Sequence, residues 1–146
     1  MKTYTVCPKC GAVNGVELPH ASKAVCEKCK AELKSLHDGV NTLTAVELNR
    51  LIDGSPLPVV ADFWAPWCGP CLGFAPIFAQ AARELTGNYV FVKVDTQADP
   101  SAGELFRIEA IPTLSVLSGG VEQARQMGGL PLTQFKLWLE DVRQAA

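Results

Sequence analysis

Apolar and polar stretches alternate along residues 37–146 in a way that predicts helices alternating with strands. Thr44 and Glu47 form a capping box ahead of Leu48, Leu51 and Ile52, which recur at helical spacing, so a helix should begin there. A β-α-β order follows, as is typical of an α/β fold. The further elements predicted are strands over 58–64, 89–95, 113–117 and 121–127, a helix over about 68–84, a short helix over 102–106 and a closing helix from about 131.

The first 34 residues show no sustained helical or strand period. They contain two CxxC pairs and several turn-forming residues, namely Pro8, Gly11, Asn14, Gly15 and Pro19. Such a segment buries too little apolar surface to fold alone, and its pattern favours two metal-binding knuckles joined by a loop. We therefore predict a small module over 1–36 and a larger domain over 37–146.

Composition limits the class of protein. Hydrophobic residues make up 48% of the 146 and charged residues 19%, as in ordinary globular proteins, and no apolar run approaches the ~18 residues of a membrane span. The N-terminus has no apolar signal region, so we expect a cytoplasmic protein without a membrane partner. Residues 1–36 hold six lysines and three glutamates. Their net charge is therefore +3. Four thiolates around one Zn²⁺ would reduce this net charge to about +1, which is too small to favour a nucleic-acid partner.

All six cysteines fall in CxxC pairs, which in a chain without a signal favours metal and redox chemistry over a disulfide framework. Cys68 and Cys71 lie where an apolar strand meets a predicted helix. The free amides of the helix start favour a thiolate at Cys68, and Pro70 stiffens the turn. The pattern predicts a dithiol redox centre, against the alternatives of a structural disulfide or half of a zinc site.

The other two pairs have the spacing of a four-thiolate zinc site, with fifteen residues between Cys10 and Cys26. Four sulfurs at ~2.3 Å fill a tetrahedral shell and leave no position for water, so the metal is expected to be structural. Iron could occupy the same donors, and His20 in the intervening loop could replace a cysteine. The predicted ligands are Cys7, Cys10, Cys26 and Cys29.

Asp62 interrupts the apolar strand before Cys68. A carboxyl group that faces a core has a raised pKa, which suits proton exchange near neutral pH.

Several motifs together resemble thioredoxin. They are VVADFWAPWCGPCLGFAP over 59–76, Lys93, Ile111-Pro112-Thr113 and Gly128-Gly129. The resemblance covers about residues 41–146, and with the four N-terminal cysteines the chain is similar to the zinc-binding thioredoxin 2 type. It implies the thioredoxin fold, a mixed central sheet with helices on both faces, joined to a zinc-ribbon-like module.

The resemblance also implies roles for individual residues. Cys68 would attack a substrate disulfide from the exposed tip of the helix, and Cys71 would then release the product. Asp62 would assist deprotonation of Cys71 and pair with Lys93, although a purely structural ion pair is the alternative. Pro112 would be a cis-proline opposite the CGPC turn, rather than an ordinary turn proline. The docking surface would consist of Trp67, Gly69, Pro70, Ile111, Met127, Gly128 and Gly129, some of which could simply be core.

The function implied is that of a protein-disulfide reductase. Its partners would be oxidised client proteins and an NADPH-dependent thioredoxin reductase, and its cofactors one Zn²⁺ and the redox-active Cys68–Cys71 disulfide, with no bound organic cofactor. A thiol oxidase or isomerase is one alternative, disfavoured because Pro70, not histidine, precedes the second cysteine. A zinc-dependent binding adaptor or holdase is another. One departure from the family is Leu72-Gly73, where thioredoxins commonly carry a cation.

Overall fold

The computed structural model describes residues 1–18 and 24–145, which form two sheets and four helices. A two-stranded antiparallel hairpin consists of β1 (Lys2–Val6) and β2 (Val13–Glu17). The remaining elements are β3 (Leu36–His37), β4 (Val40–Thr42), α1 (Ala45–Gly54), β5 (Val59–Trp64), α2 (Gly69–Leu85), β6 (Val90–Asp95), α3 (Ser101–Leu105), β7 (Thr113–Ser118), β8 (Val121–Met127) and α4 (Leu132–Ala145).

The central sheet has six strands in the order β3-β4-β6-β5-β7-β8. Strand β6 is parallel to both β4 and β5, and the other pairs are antiparallel. Because side chains alternate along a strand, Val59, Ala61 and Phe63 pack on the face covered by α1 and α3, whereas Val60 packs with α2 and α4. The predicted α/β architecture, a mixed sheet with helices on both faces, is confirmed.

Local signals placed several elements correctly. The capping box at the start of α1 is present, with Glu47 N–H donating to Thr44 Oγ1 at 3.2 Å and Thr44 N–H to Glu47 Oε1 at 3.0 Å. The turn between β7 and β8 is made by Gly119 and Gly120, whose φ angles of 61° and 79° suit residues without a side chain.

The sequence showed no sustained strand period in residues 1–34, yet the structure has two strands there, β1 and β2. Asn14 and Gly15, which the sequence assigned to a turn, lie within β2. The hairpin is stable because it does not fold alone: Tyr4 and Val6 pack into the core formed by α1 and the central sheet. Asn41 of β4 adds a hydrogen bond to the Tyr4 carbonyl at 3.0 Å. The module and the central sheet therefore share apolar contacts.

Candidate active site and four-cysteine cluster

Cys68 is the N-terminal cap of α2, immediately before the first helical residue. Its backbone is extended, with φ −87° and ψ 110°, and the N–H of Cys71 donates to its Sγ at 3.2 Å. The two cysteines form a disulfide, with Cα atoms 5.2 Å apart. In the reduced pair, the amide of Cys71 and the positive end of the helix dipole favour a thiolate at Cys68.

The expected exposure of Cys68 is wrong. The residue is 5% exposed, and Cys71 is 2% exposed. Both pack with Ala65, and the side chains of Trp64 and Ile111 cover this small apolar group. Exposure therefore does not distinguish the two cysteines, whereas the amide hydrogen bond to the Cys68 sulfur does.

Asp62 lies on β5, on the same face of the sheet as Val60 and therefore towards the layer of α2. It is 1% exposed, and within residues 1–18 and 24–145 no donor forms a hydrogen bond with either carboxyl oxygen. Burial raises the pKa of Asp62 to about 7, and the positive charge of Lys93 opposes this rise. The carboxyl group therefore exchanges a proton near neutral pH.

Lys93 is the register partner of Asp62 on the neighbouring strand β6. Its ammonium group makes no hydrogen bond to the carboxylate but lies 4.3 Å from the centre of the Trp64 ring. The face of an indole attracts a cation, and a carboxyl with a pKa near 7 competes for it less strongly. The predicted pairing thus exists as strand register, whereas the direct ion pair is replaced by a contact with Trp64.

The Ile111–Pro112 bond is cis, as the resemblance implied. The Ile111 carbonyl oxygen lies 3.8 Å from Cys68 Sγ, and the Pro112 carbonyl accepts from Gly128 N–H at 2.7 Å. Met127 is brought to the same place, because it pairs in register with Thr113, the residue after Pro112. The predicted docking residues from the two chain segments are thus brought to the same end of α2 as Cys68.

The predicted docking residues differ in exposure. Trp67 is 70% exposed and Met127 58%, so both offer apolar surface to a partner. Gly69, Pro70 and Gly129 are exposed, whereas Ile111 and Gly128 are half-buried. Gly129 also has a packing role, since a Cβ there would lie 3.0 Å from the Phe74 ring.

Leu72 extends this apolar rim along α2. It is 52% exposed and follows Cys68 by one helical turn, with its N–H donating to the Cys68 carbonyl at 3.1 Å. The chain carries no charged residue from Phe63 to Ala82. The first turns of α2 therefore offer Cys68 backbone amides but no cationic side chain.

The four N-terminal cysteines form a compact cluster, although the two pairs are far apart in sequence. All four Sγ atoms lie within 4.8 Å of one another, and none is in a disulfide. The Sγ atoms of Cys7 and Cys29 are 3.6 Å apart, as are those of Cys10 and Cys26. A tetrahedron with Zn–S bonds of ~2.3 Å has edges of about 3.8 Å, so the donor set fits a tetrahedral metal. His20 lies outside the described residues.

Each pair sits in a knuckle with the same backbone pattern. In the first knuckle (residues 7–12), Cys7 N–H donates to the Ala12 carbonyl at 2.8 Å and Gly11 N–H to the Cys7 carbonyl at 2.9 Å. In the second knuckle (residues 26–31), the corresponding bonds join Cys26 to Ala31 at 2.8 Å and Lys30 to Cys26 at 2.9 Å. Gly11 and Lys30, at equivalent positions, both have positive φ, 78° and 65°.

The surroundings of the four sulfurs shift the pKa values of Cys26 and Cys29 in opposite directions. The Cys29 amide, opposed by burial and assisted by the Asn14 side chain, lowers the pKa of Cys26 to about 6. The Ala31 amide lowers the pKa of Cys29, but burial and the other three cysteines outweigh it and raise that pKa to about 11. A divalent cation is the group that would hold all four as thiolates at neutral pH.

Asn14 is a residue of this cluster that sequence reasoning missed. Its Nδ2 donates to Cys26 Sγ at 3.5 Å, and its Oδ1 accepts from Glu27 N–H at 3.0 Å. An asparagine beside a glycine indicates a turn from sequence alone, so only the burial of its side chain in the folded cluster could have identified it.

Within residues 1–18 and 24–145, none of the helices is long and apolar enough to span a membrane.

Comparison with known proteins agrees with this geometry. The family model described as Thioredoxin matches residues 39–141. Thioredoxin C-3 of Corynebacterium nephridii is 38% identical over 144 residues, covering 95% of this chain and 94% of that protein. Thioredoxin 1 of Chlorobaculum tepidum is 41% identical over 92 residues, covering 63% of this chain and 91% of that protein. A putative thioredoxin 2 of Streptomyces coelicolor is 43% identical over 95 residues, covering 60% and 70%. The Cys68–Cys71 pair lies at the N-terminus of α2, beside Ile111-Pro112. The chain belongs to the thioredoxin family of thiol-disulfide oxidoreductases.

Proposed function

We propose that the chain is a protein-disulfide reductase whose redox centre is the Cys68–Cys71 pair. The observation that carries the proposal is the position of Cys68 at the cap of α2, where the N–H of Cys71 donates to its sulfur at 3.2 Å. This contact stabilises a thiolate at Cys68 once the pair is reduced, and a thiolate is the form that attacks a disulfide.

The reaction consists of two exchanges. In the first, the Cys68 thiolate bonds to one sulfur of a client disulfide, the client S–S bond breaks, and the released thiolate takes a proton from water. In the second, Cys71 loses its proton and attacks Cys68 Sγ, which breaks the mixed disulfide. The second client thiolate leaves and is protonated, so the client gains the two electrons that the cysteine pair loses.

Asp62 is the proposed proton acceptor for Cys71. A carboxyl group with a pKa of about 7 is half ionised near neutral pH, where it can take a proton and return it to solvent. Lys93 is a positioning residue in this proposal, because its charge opposes the rise of the Asp62 pKa while its ammonium group rests on Trp64.

Oxidised client proteins are the proposed substrates. Trp67 precedes Cys68 in the chain and Met127 pairs in register with Thr113, next to the cis Ile111–Pro112 bond, and both side chains present apolar surface against which an extended client segment can pack. We propose that an NADPH-dependent thioredoxin reductase recharges the pair, in the cytoplasm, without a bound organic cofactor and without nucleic acid as a partner.

We further propose that one structural Zn²⁺ is bound by the four clustered thiolates. The Sγ separations of 3.6 Å support a tetrahedral shell, and availability favours zinc over iron for these donors. When bound, the metal would hold the two knuckles together. Metal analysis of the reduced protein tests this, with one zinc per chain expected.

Insulin disulfide reduction and the equilibrium potential of the Cys68–Cys71 pair test the reductase. Turnover with a potential more reducing than that of the glutathione pool is expected. A strongly oxidising potential would identify an oxidase or isomerase instead, and binding of clients without turnover would identify an adaptor or holdase.

A further inference from the structure

The two knuckles provide an internal comparison, because their backbones match while one side chain differs. Ala12 is the last residue of the first knuckle, and Asn14 lies two residues after it. The equivalent residue after Ala31, at the end of the second knuckle, is Leu33, which packs with Cys7 and Cys26 in the apolar centre of the module. A knuckle with the same backbone bonds therefore forms with an apolar residue at this position, and knuckle formation does not require Asn14.

Asn14 is 6% exposed, and burying an amide is unfavourable unless its polar atoms find partners. Its Nδ2 donates to the Ala12 carbonyl at 3.1 Å and to Cys26 Sγ at 3.5 Å. Its Oδ1 accepts from the Glu27 amide at 3.0 Å. Because a backbone N–H can only donate, the Glu27 contact fixes the oxygen on that side and places the Nδ2 donor towards the sulfur.

These three bonds connect parts of the cluster that the chain separates. Ala12 belongs to the first knuckle, Glu27 to the turn of the second, and Cys26 Sγ to the set of sulfurs. Cys26 itself is fully buried, so its sulfur has no solvent to disperse a negative charge. An amide donor at the sulfur stabilises that charge and holds the second knuckle in the position that closes the tetrahedron.

We propose that Asn14 is a positioning residue of the four-cysteine metal site and sets how tightly the metal is held. The inference rests on the proposed function of the cluster in binding Zn²⁺. Partners that hydrogen-bond to metal ligands commonly contribute 10–100-fold to metal affinity. The second knuckle offers Cys7 no matching contact, since the side chain of Leu33 has no hydrogen-bonding group.

The experiment measures the Zn²⁺ dissociation constant of the reduced, full-length protein by competition with a chelator of known affinity. Asn14→Leu copies the residue of the second knuckle, and Asn14→Asp keeps the acceptor for Glu27 but removes the donor and adds a charge beside the sulfurs. Asn49→Leu is the matched control, because Asn49 is exposed on α1. We expect Asn14→Leu to bind Zn²⁺ about 10–100-fold more weakly, Asn14→Asp at least as weakly, and the control to match wild type.

Co²⁺ bound in place of Zn²⁺ provides a second measurement, the energy of the thiolate-to-cobalt charge-transfer band, which loss of packing alone would not change. Removing the N–H···S bond raises the energy of the sulfur electrons, so the thiolate-to-cobalt charge-transfer band should shift to lower energy in Asn14→Leu. Wild-type affinity and an unshifted band in both Asn14 variants would overturn the inference while leaving the zinc site in place. Failure of wild type to bind Zn²⁺ would overturn the proposed metal site itself.

Discussion

Replacing Asp62 by asparagine should change the pH dependence of folding stability. The carboxyl group is 1% exposed, without a hydrogen-bond donor among the described residues, and its pKa is raised to about 7. In the unfolded chain the pKa of aspartate is about 3.9. Between these two values the native state binds more protons than the unfolded state, so Asp62 lowers the stability of wild type progressively as the pH rises.

The size of this effect follows from the shift of about three pKa units. At about 1.4 kcal/mol per unit, ionisation of Asp62 should cost the native state about 4 kcal/mol by pH 8, and only about 0.5 kcal/mol at pH 4. The asparagine variant does not ionise. Its free energy of unfolding, relative to wild type at the same pH, should therefore rise by up to about 4 kcal/mol from pH 4 to pH 8.

Denaturant unfolding of the oxidised proteins at several pH values measures this difference. Any constant cost of burying the asparagine amide moves all points equally and leaves the slope unchanged. Asp141→Asn is the control, because it removes a carboxylate from an exposed position on α4 and should give a nearly flat difference. A flat difference for Asp62→Asn as well would refute the raised pKa and, with it, the proposed role in deprotonating Cys71.

Other predictions concern the redox pair, the rim and the metal module. Cys68→Ser should abolish disulfide reduction, whereas Cys71→Ser should accumulate mixed disulfides that non-reducing gels detect; the reverse pattern would exchange their roles. Leu72→Lys should lower the pKa of Cys68, measured by ultraviolet thiolate absorbance, since it adds a cation one helical turn away; an unchanged or raised pKa would contradict this. Lys30→Gly should stabilise the metal-loaded protein by up to about 1 kcal/mol in denaturant unfolding, because φ is 65° there. Chelation should increase hydrogen exchange in residues 7–12 and 26–31 but leave β1 protected, because β1 packs on α1.

The sequence was informative wherever a local pattern decides the structure. The capping box at Thr44, the Gly119-Gly120 turn and the cysteine pair at the strand-to-helix junction each depend on residues within a few positions of one another. The hairpin of β3 and β4 carries the same kind of signal in Asp38-Gly39, with φ angles of 50° and 82°. It was missed because its strands have only two and three residues, too few to show a period.

Several features that depend on distant parts of the chain were missed. β1 is a strand because Tyr4 and Val6 meet α1, which lies about forty residues later in the sequence. The resemblance to thioredoxin placed Lys93 opposite Asp62, but the preference of its ammonium group for the Trp64 ring depends on side-chain packing. Asn14 is the clearest example of a residue whose role was missed. From sequence alone, asparagine next to glycine indicates a turn, and only the folded structure shows its side-chain amide beside the Cys26 sulfur.

The hairpin of β1 and β2 packs both against the core of the central sheet and against the knuckles. This division determines which part of the hairpin would depend on the proposed metal. Tyr4 and Val6 are packed with α1 and the central sheet, whereas Val16 packs with Cys7 and the other knuckle residues. Apolar burial on the sheet side does not depend on the metal, and each buried methylene there contributes about 0.8 kcal/mol. The four sulfurs of the knuckles can all be thiolates at neutral pH only beside a cation, because the pKa of Cys29 is raised to about 11 without one. Binding of the proposed metal would therefore act on the knuckles locally, and the shared core maintains the attachment of the hairpin to the thioredoxin domain.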